Sequence, residues 1–188
     1  MTTRFSPLQL DVAAFAKASA NLAFDGAEES EPGGLDRVFA RLSAEACEPG
    51  GLVHVAWRTQ AELRPGANGE PQPWVYLEAE AVLRLRCQRC LAPAELPVST
   101  ERWFRFVTDE ATAAAEDDES EEDVLALEPR FNLIQLVEDE LLMAVPLVPM
   151  HDVCPVAVPT SAGEDEFQAV LESRPSAFAA LSQLKGRG

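Results

Sequence analysis

Residues 74–107 read WVYLEAEAVLRLRCQRCLAPAELPVSTERWFRFV, and this stretch decides the fold. In its first half, apolar residues alternate with polar and charged ones, and one face carries Val75, Leu77, Ala79, Ala81, Leu83 and Leu85. A period of two is typical of a β-strand with one buried face. The second half has strand composition over 96–107. We therefore predict an antiparallel hairpin whose connection carries Cys87 and Cys90.

Two further segments extend this hairpin into a sheet. Residues 52–59 alternate in the same way, and residues 124–127 form a short apolar stretch. Together with the hairpin strands at 74–86 and 96–107, they predict an antiparallel sheet that curls toward a barrel.

Helical spacing of apolar residues marks the remaining segments. One helix is predicted from Asp11, another over 35–46, and the clearest pattern begins after Asn132. Asp and Asn at these positions can cap the free amides of a helix start. Two C-terminal helices are expected at 164–173 and 175–185. The expected fold class is α+β: a barrel-like antiparallel sheet with a CxxC hairpin, a packed helix, and helical N- and C-terminal segments.

Charge is distributed unevenly along the chain. The 188 residues include 15 Lys plus Arg and 32 Asp plus Glu, a formal net charge of -17. Such a balance argues against a protein that coats nucleic acid through bulk electrostatics. Residues 109–123, which we call the acidic tract, contain acidic residues and no basic one. With few large apolar groups to order it, the acidic tract is predicted to be a mobile loop.

Arginines concentrate in and around the predicted hairpin. The candidate contacts to RNA or to another partner are Arg84, Arg86, Arg89, Arg102 and Arg105. Trp103 and Phe104 lie among them in the sequence, and aromatic rings can stack on RNA bases. The alternative is that these arginines pair with glutamates across the sheet, which would leave them no role in binding.

The cysteine spacing suggests a metal site. Cys87 and Cys90 form a CxxC pair, and His151 and Cys154 form an HxxC pair. Zinc takes four tetrahedral ligands. The two pairs therefore predict a Cys3His zinc site between the hairpin and the proline-rich segment, residues 146–159. Two other interpretations remain open: reduced thiols with no role beyond structure, and a redox pair. A redox pair usually begins a helix, whereas LAPAELPV after Cys90 is typical of a loop leading into a strand.

No enzyme mechanism emerges from the sequence. Glu138, Asp139 and Glu140 are consecutive helix positions, so they are predicted to form a solvated face and not a paired-carboxylate site. Phosphate-binding glycine loops, GxSxG and HExxH are all lacking, so neither catalysis nor a small-molecule substrate is expected. No apolar run approaches the roughly 20 residues that span a bilayer, and the N-terminus does not resemble a secretion signal. We therefore expect no membrane contact and a cytoplasmic location.

The order of these features resembles the bacterial YceD family, the large ribosomal RNA subunit accumulation proteins. The resemblance rests on CQRCL at 87–91, VEDELLMAVPLVPMH at 137–151 and the closing stretch 178–185, with a looser match over 8–26. It covers nearly the whole chain and implies one domain, 1–188, with an extended C-terminal segment. Some family members carry further cysteines after the helix, whereas this sequence has only His151 and Cys154 there.

The resemblance implies a role in the synthesis, processing or stability of large-subunit ribosomal RNA, without catalysis. The implied partner is ribosomal RNA or a protein that handles it. Two rival classes remain. An adaptor would use the acidic tract and the proline-rich segment to bind a basic ribosomal protein, whereas a thiol oxidoreductase would expose a reactive Cys87 of low pKa.

Overall fold

The computed structural model describes residues 5–27, 34–46, 50–66 and 69–157. Internal contacts divide the chain into a compact unit that ends at Val153 and a second unit that begins at Cys154. Only the first four residues of the second unit are described, so the helices predicted at 164–173 and 175–185 lie outside the described residues. Within the described ranges, no helix is long and apolar enough to cross a membrane.

Helices and strands alternate irregularly along the first unit. In chain order they are α1 (Val12–Lys17), β1 (Asn21–Ala27), α2 (Gly34–Val38), α3 (Ala40–Ala44), β2 (Leu52–Pro65), β3 (Pro71–Arg86), β4 (Pro93–Val107), α4 (Glu110–Asp117), β5 (Asp123–Ala126) and α5 (Leu133–Ala144). This combination confirms the α+β class.

The strands form one five-stranded sheet in the order β1-β2-β3-β4-β5. Strands β1 to β4 are antiparallel neighbours, whereas β5 runs parallel to β4. The expected curl toward a barrel was wrong, because the sheet is not closed. Its last strand, β5, has four residues and packs against α4 instead of reaching β1.

The alternating face of β3 is the centre of the core. Its six apolar side chains are all at most 4% exposed. Helix α5 covers this face of β3 and β4 with buried apolar side chains, and Asn132 caps it by accepting a hydrogen bond from the Gln135 amide at 3.2 Å. Helix α1 begins with an equivalent cap from Asp11. Burial of this apolar area supplies the main stabilising free energy.

Two segments near the N-terminus differ from their predictions. Strand β1 was not predicted, because NLAFDGA shows no clear alternation of apolar and polar residues. The segment is extended because it pairs with residues 54–60 of β2. The single helix expected over 35–46 is interrupted at Phe39, whose backbone (φ -116, ψ 57) is not helical. Phe39 is fully buried, so its packing overrides the helical pattern on both sides.

The acidic tract contains α4 and is therefore not the continuous loop that was predicted. Asp109 caps this helix by accepting a hydrogen bond from the Thr112 amide at 2.9 Å, and that bond lowers the pKa of Asp109. Arg105, only 11% exposed, forms ion pairs with Glu116 and Glu122. The cap and the shielded guanidinium offset the like-charge repulsion on which the loop prediction rested.

Two of the three consecutive carboxylates of α5 are buried, contrary to the predicted solvated face. Glu138 accepts hydrogen bonds from the Arg41 and Leu42 amides at 2.6 and 3.0 Å, in the first turn of α3. Glu140 lies beside Arg102 at 3.4 Å, and burial raises the pKa of its carboxyl. The helix wheel gives the direction of these side chains but not the neighbours that cover them.

We expect Glu138→Ala to destabilise the protein by about 1–3 kcal/mol, because the buried Leu42 amide and the part-buried Arg41 amide lose their acceptor. Urea unfolding followed by circular dichroism measures the change. Asp139→Ala is the matched control: its ion pair with Arg41 is solvent-exposed, so its loss should cost at most about 0.5 kcal/mol. An equal cost for both variants would contradict this role of Glu138.

Candidate metal centre at the hairpin turn

The connection between β3 and β4 is a tight turn of residues 87–92, which we call the cysteine turn. The Cys87 amide donates to the Ala92 carbonyl at 3.0 Å, and the Leu91 amide donates to the Cys87 carbonyl at 2.9 Å. Leu91 adopts a left-handed backbone with φ 63, a conformation that costs a non-glycine residue roughly 1–2 kcal/mol. The predicted hairpin and its placement of the CxxC pair are thus confirmed.

The chain after α5 returns to the cysteine turn. We call residues 146–153 the post-helix segment; its prolines at 146 and 149 exclude a helix there. The Gln88 amide donates to the Pro149 carbonyl at 2.8 Å. The Arg89 guanidinium donates to the carbonyls of His151 and Asp152 at 2.6 and 3.3 Å. The Gln88 amide and the Arg89 side chain therefore hold the post-helix segment against the turn through its main-chain carbonyls.

This return brings together the four predicted metal ligands. The ligand atoms of Cys87, Cys90, His151 and Cys154 all lie within 4.8 Å of one another, so the group has the composition and spacing to hold a metal ion. Cys154 follows His151 by three residues.

The histidine is oriented for ligation. Nε2 of His151 lies 3.1 Å from the Pro93 carbonyl oxygen, and Nδ1 lies 3.4 Å from Sγ of Cys90. A carbonyl oxygen only accepts hydrogen bonds, so Nε2 carries the proton of the neutral ring. Nδ1 then directs its lone pair toward the cysteines, as in metal sites where a second group fixes the tautomer.

Cys87 is fully buried, and its environment favours the thiolate. Burial raises the pKa of this thiol, but hydrogen bonds from the backbone amides of Cys90, His151 and Arg89 outweigh burial and lower the pKa from 9.0 to about 5. A thiolate is the form that binds metal. An oxidoreductase needs an accessible thiolate, whereas Cys87 is 0% exposed and follows a strand.

The five candidate arginines do not form one surface. Arg84, Arg86 and Arg89 lie at or beside the cysteine turn, but the register of β3 with β4 places Arg102 opposite Leu77 and Arg105 opposite Trp74. Seven strand residues separate Leu77 from Arg84, which is roughly 23 Å at 3.3 Å per residue. Each residue pair further along the hairpin lies further from the turn, and counting arginines along the sequence ignored that distance.

Carboxylates engage most of these guanidinium groups. Arg84 pairs with Glu95 at 2.9 Å. Arg102 contacts Asp123 at 2.6 Å and also Glu140, so it holds α5 and β5 to β4. Arg105 holds α4 in the same way. Arg86 remains exposed at the end of β3.

Sequence reasoning missed a second group of side chains at the far end of the hairpin. The guanidinium of Arg64 lies over the rings of Trp74 and Trp103, 4.4 and 3.9 Å from their centroids. The sequence did contain a signal for this group. Both tryptophans fall at strand positions that face away from the core, where large apolar rings are unusual.

Comparison with known proteins points to one family. The family model described as "Large ribosomal RNA subunit accumulation protein YceD" matches residues 75–185. The Large ribosomal RNA subunit accumulation protein YceD of Haemophilus influenzae is 34% identical over 130 residues, which cover 62% of this chain and 68% of that protein. No solved structure matches the chain significantly. The matched range includes the cysteine turn, α5 and the post-helix segment.

Proposed function

The chain belongs to the YceD family, and from this membership we propose that it is a non-catalytic factor that supports the accumulation or processing of large-subunit ribosomal RNA. The observation that carries the proposal is the family match over residues 75–185, which contains the whole candidate site. The proposed setting is the cytoplasm. Three thiols and one histidine, with Cys87 buried and the other three residues half-buried, form a donor set that suits metal binding.

The proposed contact surface is the cysteine turn with the adjacent ends of β3 and β4. Arg86 and Arg89 are exposed there, and Arg84 is partly exposed. In a chain of net charge -17, phosphates are repelled from most of the surface. A contact with ribosomal RNA should therefore be local, weak in isolation and oriented by this end of the hairpin.

We propose that the bound metal is zinc, held by Cys87, Cys90, His151 and Cys154. Three thiolates and one neutral imidazole form a donor set that zinc prefers, and its charge would offset that of the clustered sulfurs. The ion would hold the post-helix segment to the cysteine turn more strongly than the hydrogen bonds alone. It would thereby fix the shape of the surface that carries Arg86 and Arg89.

A basic ribosomal protein is the alternative partner. The acidic tract, which contains α4, has acidic residues and no basic one, and that charge suits a cationic polypeptide. In this adaptor function, the ribosomal RNA would be reached through the bound protein.

Elemental analysis of freshly purified protein, prepared without chelators, tests the metal. We expect about one zinc per chain, and a loss of most of it in Cys90→Ser and His151→Ala, because a tetrahedral site needs all four ligands. Cys47→Ser, which alters the remaining cysteine, should retain the metal. Since the pKa of Cys87 is about 5, protons should compete with zinc for this thiolate only as the pH falls toward that value. A molar ratio near zero at neutral pH contradicts the zinc proposal.

Crosslinking in growing cells, followed by identification of bound RNA and protein together, tests the RNA contact. Wild-type protein should recover large-subunit ribosomal RNA, and Arg86→Glu should reduce that recovery on the order of fivefold, because one phosphate contact becomes repulsive. Arg130→Glu, an equal charge change at another exposed position, is the control.

The same experiment separates the alternatives. Recovery of a ribosomal protein with unchanged yield in Arg86→Glu favours the adaptor function. Recovery of neither ribosomal RNA nor a ribosome-associated protein contradicts the proposed function as a whole.

A further inference from the structure

An aromatic group occupies the outer face of the hairpin, the face opposite the core, at the end remote from the cysteine turn. Trp74 and Trp103 lie on β3 and β4 with ring centroids 6.3 Å apart, and the Tyr76 ring lies 5.2 Å from that of Trp103. Arg64 of β2 places its guanidinium over both indoles. The two tryptophans therefore form a site that accepts a guanidinium through cation–π attraction.

A cleft of about 590 Å³ opens beside this aromatic group. Its aromatic and acidic lining consists of Trp74, Trp103, Glu101, Glu121, Glu122 and Asp123. Arg64 and Arg102 also line it, and both guanidinium groups already contact carboxylates, Arg64 with Glu62 and Arg102 with Asp123. Asp123 pairs with Arg102 and Glu122 with Arg105, which leaves Glu101 and Glu121 as the cleft carboxylates with no ion pair among the described residues. The cleft therefore keeps an excess of negative charge.

We propose that this cleft binds an arginine- and lysine-rich segment of a partner protein, whose cations lie beside the carboxylates and whose aliphatic stems pack against the tryptophans. The charge of the cleft is complementary to such a segment and repels the phosphates of a nucleic acid. Arg64 demonstrates within the chain that the indole pair holds a guanidinium. The aromatic rings add contact area that a purely acidic surface lacks.

This inference rests on the adaptor alternative of the proposed function, which it refines by assigning the cationic partner to one cleft, and it concerns the end of the hairpin opposite the cysteine turn. Trp74 pairs with Arg105, whereas Arg84 pairs with Glu95, ten residues further along each strand. At 3.3 Å per residue, the two ends are roughly 33 Å apart. A partner at the cleft would thus leave the cysteine turn free to make its own contact.

Titration of the full-length protein with a short synthetic peptide of arginine, lysine and glycine tests the proposal. Two of the three tryptophans line the cleft, so peptide binding should change tryptophan fluorescence, and the affinity should fall as salt rises. Glu121→Lys should weaken binding on the order of tenfold, because it places a cation among the cleft carboxylates. Trp103→Ala should weaken binding by about fivefold through loss of aromatic contact area.

Glu110→Lys is the matched control, since it makes the same charge change in the acidic tract at an exposed position that does not line the cleft. It should weaken binding by less than about twofold. Equal losses for Glu110→Lys and Glu121→Lys, no binding of the peptide, or preferential binding of a single-stranded oligonucleotide would each overturn the proposal.

Arg86→Glu separates this inference from the proposed function. The variant should bind the peptide as the wild type does, while its recovery of ribosomal RNA in cells falls. If the protein binds the peptide but crosslinking in cells recovers neither ribosomal RNA nor a ribosome-associated protein, the binding of cationic segments by the cleft is supported and only the proposed function is contradicted.

Discussion

The pairing of β3 with β4 is the interaction on which the rest of the structure depends. Thirteen residue pairs, from Trp74–Arg105 to Arg86–Pro93, join the two strands in one unbroken register. This register sends one face of each strand to the core beneath α5 and the other face to solvent. It also places the cysteine turn at one end of the hairpin and the tryptophan cleft at the other. The same hydrogen-bonded ladder therefore determines the position of both proposed binding regions.

Internal ion pairs divide the large negative charge of the chain into structural and available parts. Glu138 and Glu140 are buried and bind groups of the protein itself. Arg105 forms ion pairs with carboxylates in and just after α4. Because Arg102 and Arg105 serve these internal pairs, the exposed cationic groups of the hairpin are those beside the cysteine turn. The uncompensated carboxylates remain near α4 and β5. One end of the hairpin therefore carries exposed cationic side chains and the other an excess of carboxylates.

Features that depend on local sequence were predictable, and those that depend on distant neighbours were not. The alternation along β3, the caps at Asp11 and Asn132, and the CxxC turn each follow from residues close in sequence. The meeting of the CxxC and HxxC pairs was also predicted, because zinc chemistry restricts which residues can combine. Strand β1, the burial of Glu138 and the folding of α4 around Arg105 needed knowledge of which distant side chains approach. The open sheet was missed for the same reason, since strand count alone does not determine whether the edges meet.

Hydrogen exchange at the Gln88 amide tests the central claim most directly, because this amide joins the cysteine turn to the Pro149 carbonyl. If the post-helix segment is held on the turn by main-chain bonds, the Gln88 amide of the metal-free protein should be protected as strongly as the Leu91 amide, which bonds within the turn. Exchange of Gln88 at the rate of an exposed amide, with Leu91 still protected, would show that the segment is not docked and would contradict the site built on it.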